Sequence, residues 1–163
     1  MSVDLGPEIW FYHLESSSVE DTLPPLIEKC LDRLWRVGVY STSKDRLQRL
    51  DTHLWTWKPG SWLAHESPNF SAKESLAPIC LLSSTGTHVE QWSTPEAIFL
   101  LDGAEWGKTD DVKRICVLFD GRDEGALTHA RSQWRLAKEN GLIPTYWRQS
   151  EDGKWDKNLL ATA

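Results

Sequence analysis

Long apolar runs, clustered cysteines and an excess of positive charge are all missing from this chain of 163 residues. No segment approaches the roughly 18 consecutive apolar residues that a membrane-spanning helix needs. Residues 1–10 carry neither the basic stretch nor the apolar core of a secretory leader, so a cytoplasmic protein with no membrane contact is expected. The three cysteines, Cys30, Cys80 and Cys116, are far apart and form no CxxC pair. That argues against a zinc ribbon or a disulfide framework and for small buried residues in a reducing compartment. The five histidines, His13, His53, His65, His88 and His129, share no metal-ligand spacing, and no GxSxG nucleophile elbow occurs. No metal, cofactor or catalytic residue is therefore expected. The formal net charge of -6 excludes general duplex binding, which depends on neutralising many phosphates. Any contact with DNA would be indirect, and contact with another anionic partner would need a local cluster of Arg and Lys.

What the chain does have is tryptophan, ten residues of it, a type that packs cores and also anchors interfaces. Strand and helix patterns alternate. Residues 9–14 read as a short buried strand, followed by a serine-rich turn. A helix follows in which Leu23, Leu26, Ile27, Cys30, Leu31 and Leu34 recur at helical spacing, with Thr22 as its expected cap and Gly38 as its expected stop. Residues 39–42 read as a strand, and residues 44–55 as an amphipathic helix with Leu47, Leu50, Leu54 and Trp55 on one side. The Pro59-Gly60 pair places residues 57–65 in a loop. Residues 78–84 are strand-like. The continuous apolar runs at 97–101 and 115–119 suit strands buried on both faces, and each ends in Asp-Gly, at Asp102-Gly103 and Asp120-Gly121. Residues 124–140 form the clearest helix, opened by Asp123 and closed by Gly141, and residues 145–148 a last strand. These patterns predict a single α/β domain over residues 1–163, three-layered and Rossmann-like, with helices on both faces of a mostly parallel sheet and a polar tail from about residue 149.

Two features hint at an enzyme. Gly103, Gly107, Lys108 and Thr109 imitate a phosphate loop, but only three residues separate the glycines where four are needed to wrap the phosphates, so a plain turn is the better reading. Asp102 and Asp120 stand at strand ends, where α/β enzymes keep their sites, and with Glu105 or Asp123 they could hold Mg²⁺ for a nucleotide-binding or phosphotransfer reaction. Asp-Gly after a strand is also ordinary turn chemistry, and no Lys, His or Ser is placed nearby in a catalytic spacing.

Arg131, Trp134, Arg135 and Lys138 fall at i, i+3, i+4 and i+7 on the last helix and so share one face. Arginine forks onto carboxylates and the indole offers a flat apolar wall, a combination suited to an acidic peptide ending in an apolar residue with a free carboxylate. On spacing alone, a solvated helix face is an equal reading. Trp55, Trp57 and Trp62 crowd around Pro59-Gly60, either as an exposed binding surface or as side chains folded back onto the sheet edge.

Several stretches together resemble the chi subunit family of bacterial DNA polymerase III. They are Leu34-Trp35-Arg36-Val37-Gly38, Arg49-Leu50-Asp51-Thr52-His53-Leu54-Trp55, the loop at 59–65, Phe119-Asp120-Gly121-Arg122-Asp123-Glu124, Ala130-Arg131-Ser132-Gln133-Trp134-Arg135, and Tyr146-Trp147. The resemblance implies a non-catalytic accessory part of the clamp loader, with a Rossmann-like fold and no nucleotide site. Such a protein binds the acidic C-terminal tail of single-stranded DNA-binding protein and tethers the replicase to coated DNA. It implies a tail pocket made by Trp55, Arg131, Trp134 and Arg135. The family's further basic residue, one turn before Arg131, is Leu127 here, which shifts part of that charge to Lys138. It also implies a second surface at Trp57, Trp62 and Leu63 for a psi subunit or, alternatively, a repair helicase, with the protein a monomer or one half of a 1:1 heterodimer. An adapter for a DNA-repair helicase, with no stable place in the replicase, would share both sites.

Overall fold

The computed structural model describes residues 7–57, 65–66, 78–83, 95–105 and 112–157. The element order is β1 (Glu8–Leu14), α1 (Val19–Asp32), β2 (Val37–Ser41), α2 (Lys44–Thr56), β3 (His65–Glu66), β4 (Ile79–Ser83), β5 (Ala97–Leu101), β6 (Arg114–Asp120), α3 (Glu124–Glu139), β7 (Pro144–Gln149) and β8 (Trp155–Lys157). The strands form one sheet in the order β3-β4-β2-β5-β6-β1-β7-β8. Every pairing is parallel except that of β7 with β8. The expected three-layer α/β architecture is therefore present, and the polar tail supplies an antiparallel edge strand that the sequence reading did not anticipate. Among the described residues, no helix is long and apolar enough to cross a membrane.

The path of the chain decides which face each helix covers. From β1 it crosses through α1 to β2, in one direction along the sheet. From β6 it crosses through α3 to β7, in the opposite direction and past β1. Right-handed crossovers running opposite ways put their helices on opposite faces. The core divides accordingly. Leu23 and Ile27 of α1 and Leu47, Leu50 and Leu54 of α2 share a cluster with Val39 and Phe99. Ala130 and Ala137 of α3 share another with Phe11, Val117 and Phe119. Strand alternation sends neighbouring residues of β1 and β6 into different clusters. All three cysteines are buried, as expected.

Two helix boundaries differ from the sequence expectation. Ser18, not Thr22, caps α1, its Oγ accepting from the Asp21 N–H at 3.1 Å. Thr22 is buried within the helix. Pro24 and Pro25 thus sit in the second turn and forgo two main-chain hydrogen bonds, a loss that burial of Leu23, Pro24, Leu26 and Ile27 offsets. Nor does Gly38 stop α1, for it lies inside β2. The stop is a Schellman motif, in which Leu34 N–H donates to the Leu31 carbonyl at 2.8 Å and Trp35 N–H to that of Cys30 at 3.1 Å. The left-handed position belongs to Leu34, at φ 62°. Helix α3 ends in the same motif, but there Gly141 takes that position, at φ 80°, with Leu142 N–H donating to the Ala137 carbonyl at 3.0 Å. Leu34 is 90% exposed and so gains little packing for its strain. Leu34→Gly is expected to stabilise the fold by about 1 kcal/mol, raising the thermal midpoint by roughly 2–4 °C. A lowered midpoint would mean that Leu34 makes contacts worth more than its backbone strain.

The twin Asp-Gly strand ends also differ from each other. Asp102 (φ 55°) and Gly103 (φ 81°) both take left-handed conformations in a tight turn closed by the Ala104 N–H on the Leu101 carbonyl at 3.0 Å. Gly121 has no positive φ, and glycine is needed there because a Cβ would run into the His13 ring.

Candidate functional site

The α3 face of the sheet carries a cavity of about 710 Å³. One wall is α3, contributing Leu127, Ala130, Arg131, Trp134, Arg135 and Lys138, and the floor and other wall are strands, contributing Phe11, His13, Phe119, Tyr146 and Arg148, with Glu15 just beyond β1. Helical spacing brings the α3 residues to one side. Alternation along β1 and β7 sends Phe11, His13, Tyr146 and Arg148 to the same face, since Phe11 is aligned with Tyr146 and His13 with Arg148. Asp123 fixes the start of α3, its Oδ1 accepting from the N–H groups of Gly125 at 2.9 Å and Ala126 at 3.2 Å.

Trp134 is half-buried and belongs to both core and pocket. Its ring lies 5.2 Å from Phe11 and 5.9 Å from Tyr146, edge to face with the latter, and Lys138 Nζ stands 6.0 Å above it. Arg131 and Arg135 are exposed. Among the described residues, neither guanidinium has an ion-pair partner, although the chain as a whole is acidic. At the deep end, His13 Nδ1 makes a short hydrogen bond with the Tyr146 hydroxyl, and its Nε2 lies 3.3 Å from Glu15 Oε1. These two contacts agree if the neutral ring carries its proton on Nε2, donates toward Glu15 and accepts from Tyr146.

Burial holds the His13 pKa below its ordinary value of 6.5, against the opposing pull of Glu15, with Arg148 and Arg131 lowering it further and Asp120 raising it. A histidine that resists protonation when folded leaves the unfolded chain binding more protons. Its penalty is absent above pH about 6.5 and grows as the pH falls below that value. Acidification from pH 7.5 to 5.5 is therefore expected to lower the denaturation midpoint of the wild type more than that of His13→Gln. Equal losses in the two proteins would assign the acid sensitivity to other groups.

Four of the five residues expected in a peptide pocket, Arg131, Trp134, Arg135 and Lys138, come together here, along with Leu127. Trp55 does not join them. It lies on α2, 46% exposed, and α2 covers the opposite face of the sheet, so the oppositely directed crossover that carries α3 puts the sheet between the two. The missing half of the pocket is instead the β1 and β7 wall, including His13, Glu15, Tyr146 and Arg148. Its signal was the alternation Phe11, His13, Glu15 and Tyr146, Arg148, which no single residue spacing advertises. Of the second surface, Trp57 packs against the α1 and α2 core, while Trp62 and Leu63 lie outside the described residues, as do Gly107, Lys108 and Thr109.

The carboxylates at the strand ends are engaged by cations. Asp102 accepts from Ser41 Oγ at 2.6 Å and from Arg46 Nε and Nη2 at 3.2 and 3.1 Å, while Arg46 also reaches Glu20 at 2.6 Å. Asp120 accepts from Arg122 Nε at 2.8 Å, and those hydrogen bonds hold its carboxyl below the ordinary range. Among the described residues, no group of three His, Cys, Asp or Glu is disposed to hold a metal ion.

The family model described as DNA polymerase III chi subunit, HolC, matches residues 7–145. That stretch holds the α3 wall and the β1 floor of the cavity and ends before Tyr146 and Arg148. No curated protein matches the chain.

Proposed function

The chain belongs to the DNA polymerase III chi subunit family, and from that membership we propose that it is a non-catalytic accessory subunit of the replicase clamp loader. In this role it binds the acidic C-terminal tail of single-stranded DNA-binding protein and so tethers the polymerase to coated DNA in the cytoplasm. The observation that carries this reading is the cavity under α3, where two arginines without ion-pair partners among the described residues and a lysine border an aromatic floor. A tail with acidic side chains and an apolar end is complementary to it, the end lying against Phe11, Trp134 and Tyr146 and the carboxylates on Arg131 and Arg135. Charge-assisted contacts contribute about 1.5–3 kcal/mol each, and two of them with an aromatic wall give micromolar affinity, about -8 kcal/mol. That strength recruits a partner yet lets it exchange. In this reading the second contact, with a psi subunit or a helicase, falls to Trp57, Trp62 and Leu63.

Calorimetric titration with a synthetic acidic peptide ending in an apolar residue tests the proposal. Saturable 1:1 binding that weakens as salt rises is expected, because exposed charges are screened over about 8–10 Å at ordinary ionic strength. Absence of binding at low salt would overturn it.

A further inference from the structure

The tail-binding reading uses the α3 wall and the aromatic floor and leaves the polar residues of the opposite wall without a task. Glu15 lines the pocket there, and one of its oxygens, Oε1, accepts from Arg148 Nε at 3.0 Å and from Nη2 at 2.7 Å. The same oxygen lies 3.3 Å from His13 Nε2, whose ring is oriented by Tyr146. The loop that carries Glu15 is itself anchored. Gln149 Oε1 accepts from the N–H groups of Glu15, Ser16 and Ser17 at 3.3, 3.0 and 3.1 Å, and the Gln149 residue is buried. A forked guanidinium and an imidazole N–H converging on one point form a carboxylate-binding arrangement, and the group that fills it is a carboxylate of the chain itself. The Glu15 and Arg148 side chains are 31% and 54% exposed, so their ion pair is open to solvent and separates at little cost.

We propose that Arg148 and His13 form a second carboxylate subsite of the pocket, occupied by Glu15 in the ligand-free protein, and that an incoming acidic chain replaces Glu15 with a carboxylate of its own. The inference rests on reading the pocket as an acidic-peptide site and adds a requirement to it. Arg131 and Arg135 stand on the helix wall and Arg148 on the strand wall, with the aromatic floor between them. A peptide with two or more acidic groups engages both walls, whereas one with a single carboxylate engages only one. Glu15 sets the threshold between them, because only a ligand already held at the first wall competes with it. Arg148 lies beyond the stretch matched by the family model, whereas His13 and Glu15 lie within it.

The test is a double-mutant cycle read by titration with the synthetic acidic peptide. Glu15→Gln is expected to tighten binding about three- to tenfold, and Arg148→Ala to weaken it by a similar factor. In the Arg148→Ala background most of the gain from Glu15→Gln should vanish, since Glu15 then withholds only the His13 N–H. A general charge effect of Glu15 would persist in that background. A gain that persists undiminished, or wild-type and Glu15→Gln affinities within about twofold, would overturn the subsite while leaving the pocket as the tail site. Failure of the wild type to bind the peptide at all would overturn both.

Discussion

Arg131→Glu is expected to remove measurable binding of an acidic tail peptide, and Arg131→Ala to weaken it roughly ten- to hundredfold. The reasoning is local. Arg131 stands on the pocket wall in the first half of α3, and no described carboxylate pairs with it, so the wild-type protein makes no compensating contact that a mutation would lose. Truncation to alanine then removes one charge-assisted contact, about 1.5–3 kcal/mol. Charge reversal adds repulsion of the same tail. Because Arg131 is exposed, neither change should disturb folding, and circular dichroism melts should match the wild type. Arg135→Ala should behave similarly and less severely if the two arginines share the tail's carboxylates. A titration in which Arg131→Glu binds as tightly as the wild type would remove α3 from the site.

Gly121→Ala is expected to destabilise the protein by about 1–3 kcal/mol, which at this chain length is roughly 2–4 °C in thermal midpoint for each kcal/mol. A methyl group at position 121 would overlap the His13 imidazole. That ring is not free to swing away. It is buried, hydrogen-bonded to Tyr146 and packed 5.1 Å from the Phe119 ring. The overlap should also deform the deep end of the pocket, so peptide affinity should fall together with stability. The control is His13→Ala, which vacates the space. In that background Gly121→Ala should cost little, and a full cost there would place the strain elsewhere. The same close approach explains why the second Asp-Gly pair is not a duplicate of the first: Gly103 supplies a backbone conformation, Gly121 supplies room.

Much of the scaffold was legible from pattern. The apolar runs at 97–101 and 115–119 are buried parallel strands because residues covered on both faces have no reason to alternate in polarity. Helix α3 was legible at both ends, since Asp123 and Gly141 are the residues that its unpaired N–H groups and its left-handed exit require. Helix α1 was misread at both ends for related reasons. Ser18 and Thr22 both have the chemistry of a cap, and only the position of the buried stripe chooses between them. At the other end, Leu34 occupies a left-handed position that favours glycine, while the nearest glycine, Gly38, lies inside β2.

The ten tryptophans illustrate the same boundary. Trp10 and Trp35 hold the Arg114 guanidinium between them, at 3.8 and 5.1 Å from their ring centroids, while Arg114 also pairs with Glu8 at 2.9 Å. This is a structural use of indole that composition alone cannot separate from an interface.

The sequence by itself determined the α/β layering, most element boundaries, and the gathering of Arg131, Trp134, Arg135 and Lys138 on one helix face, because periodicity and capping are local properties of the chain. Only the tertiary structure decided what that face looks onto. The crossover from β6 to β7 runs opposite to that from β1 to β2, and the fixed hand of such connections puts α3 and α2 on different sides of the sheet. Trp55 is thereby excluded from the pocket, and His13, Tyr146 and Arg148, with Glu15 just past the end of β1, are brought in by two strands that are more than 120 residues apart in sequence yet paired in the sheet. A helix face is written in four residues, but its opposite wall is set by strand order and crossover hand, which no local pattern encodes.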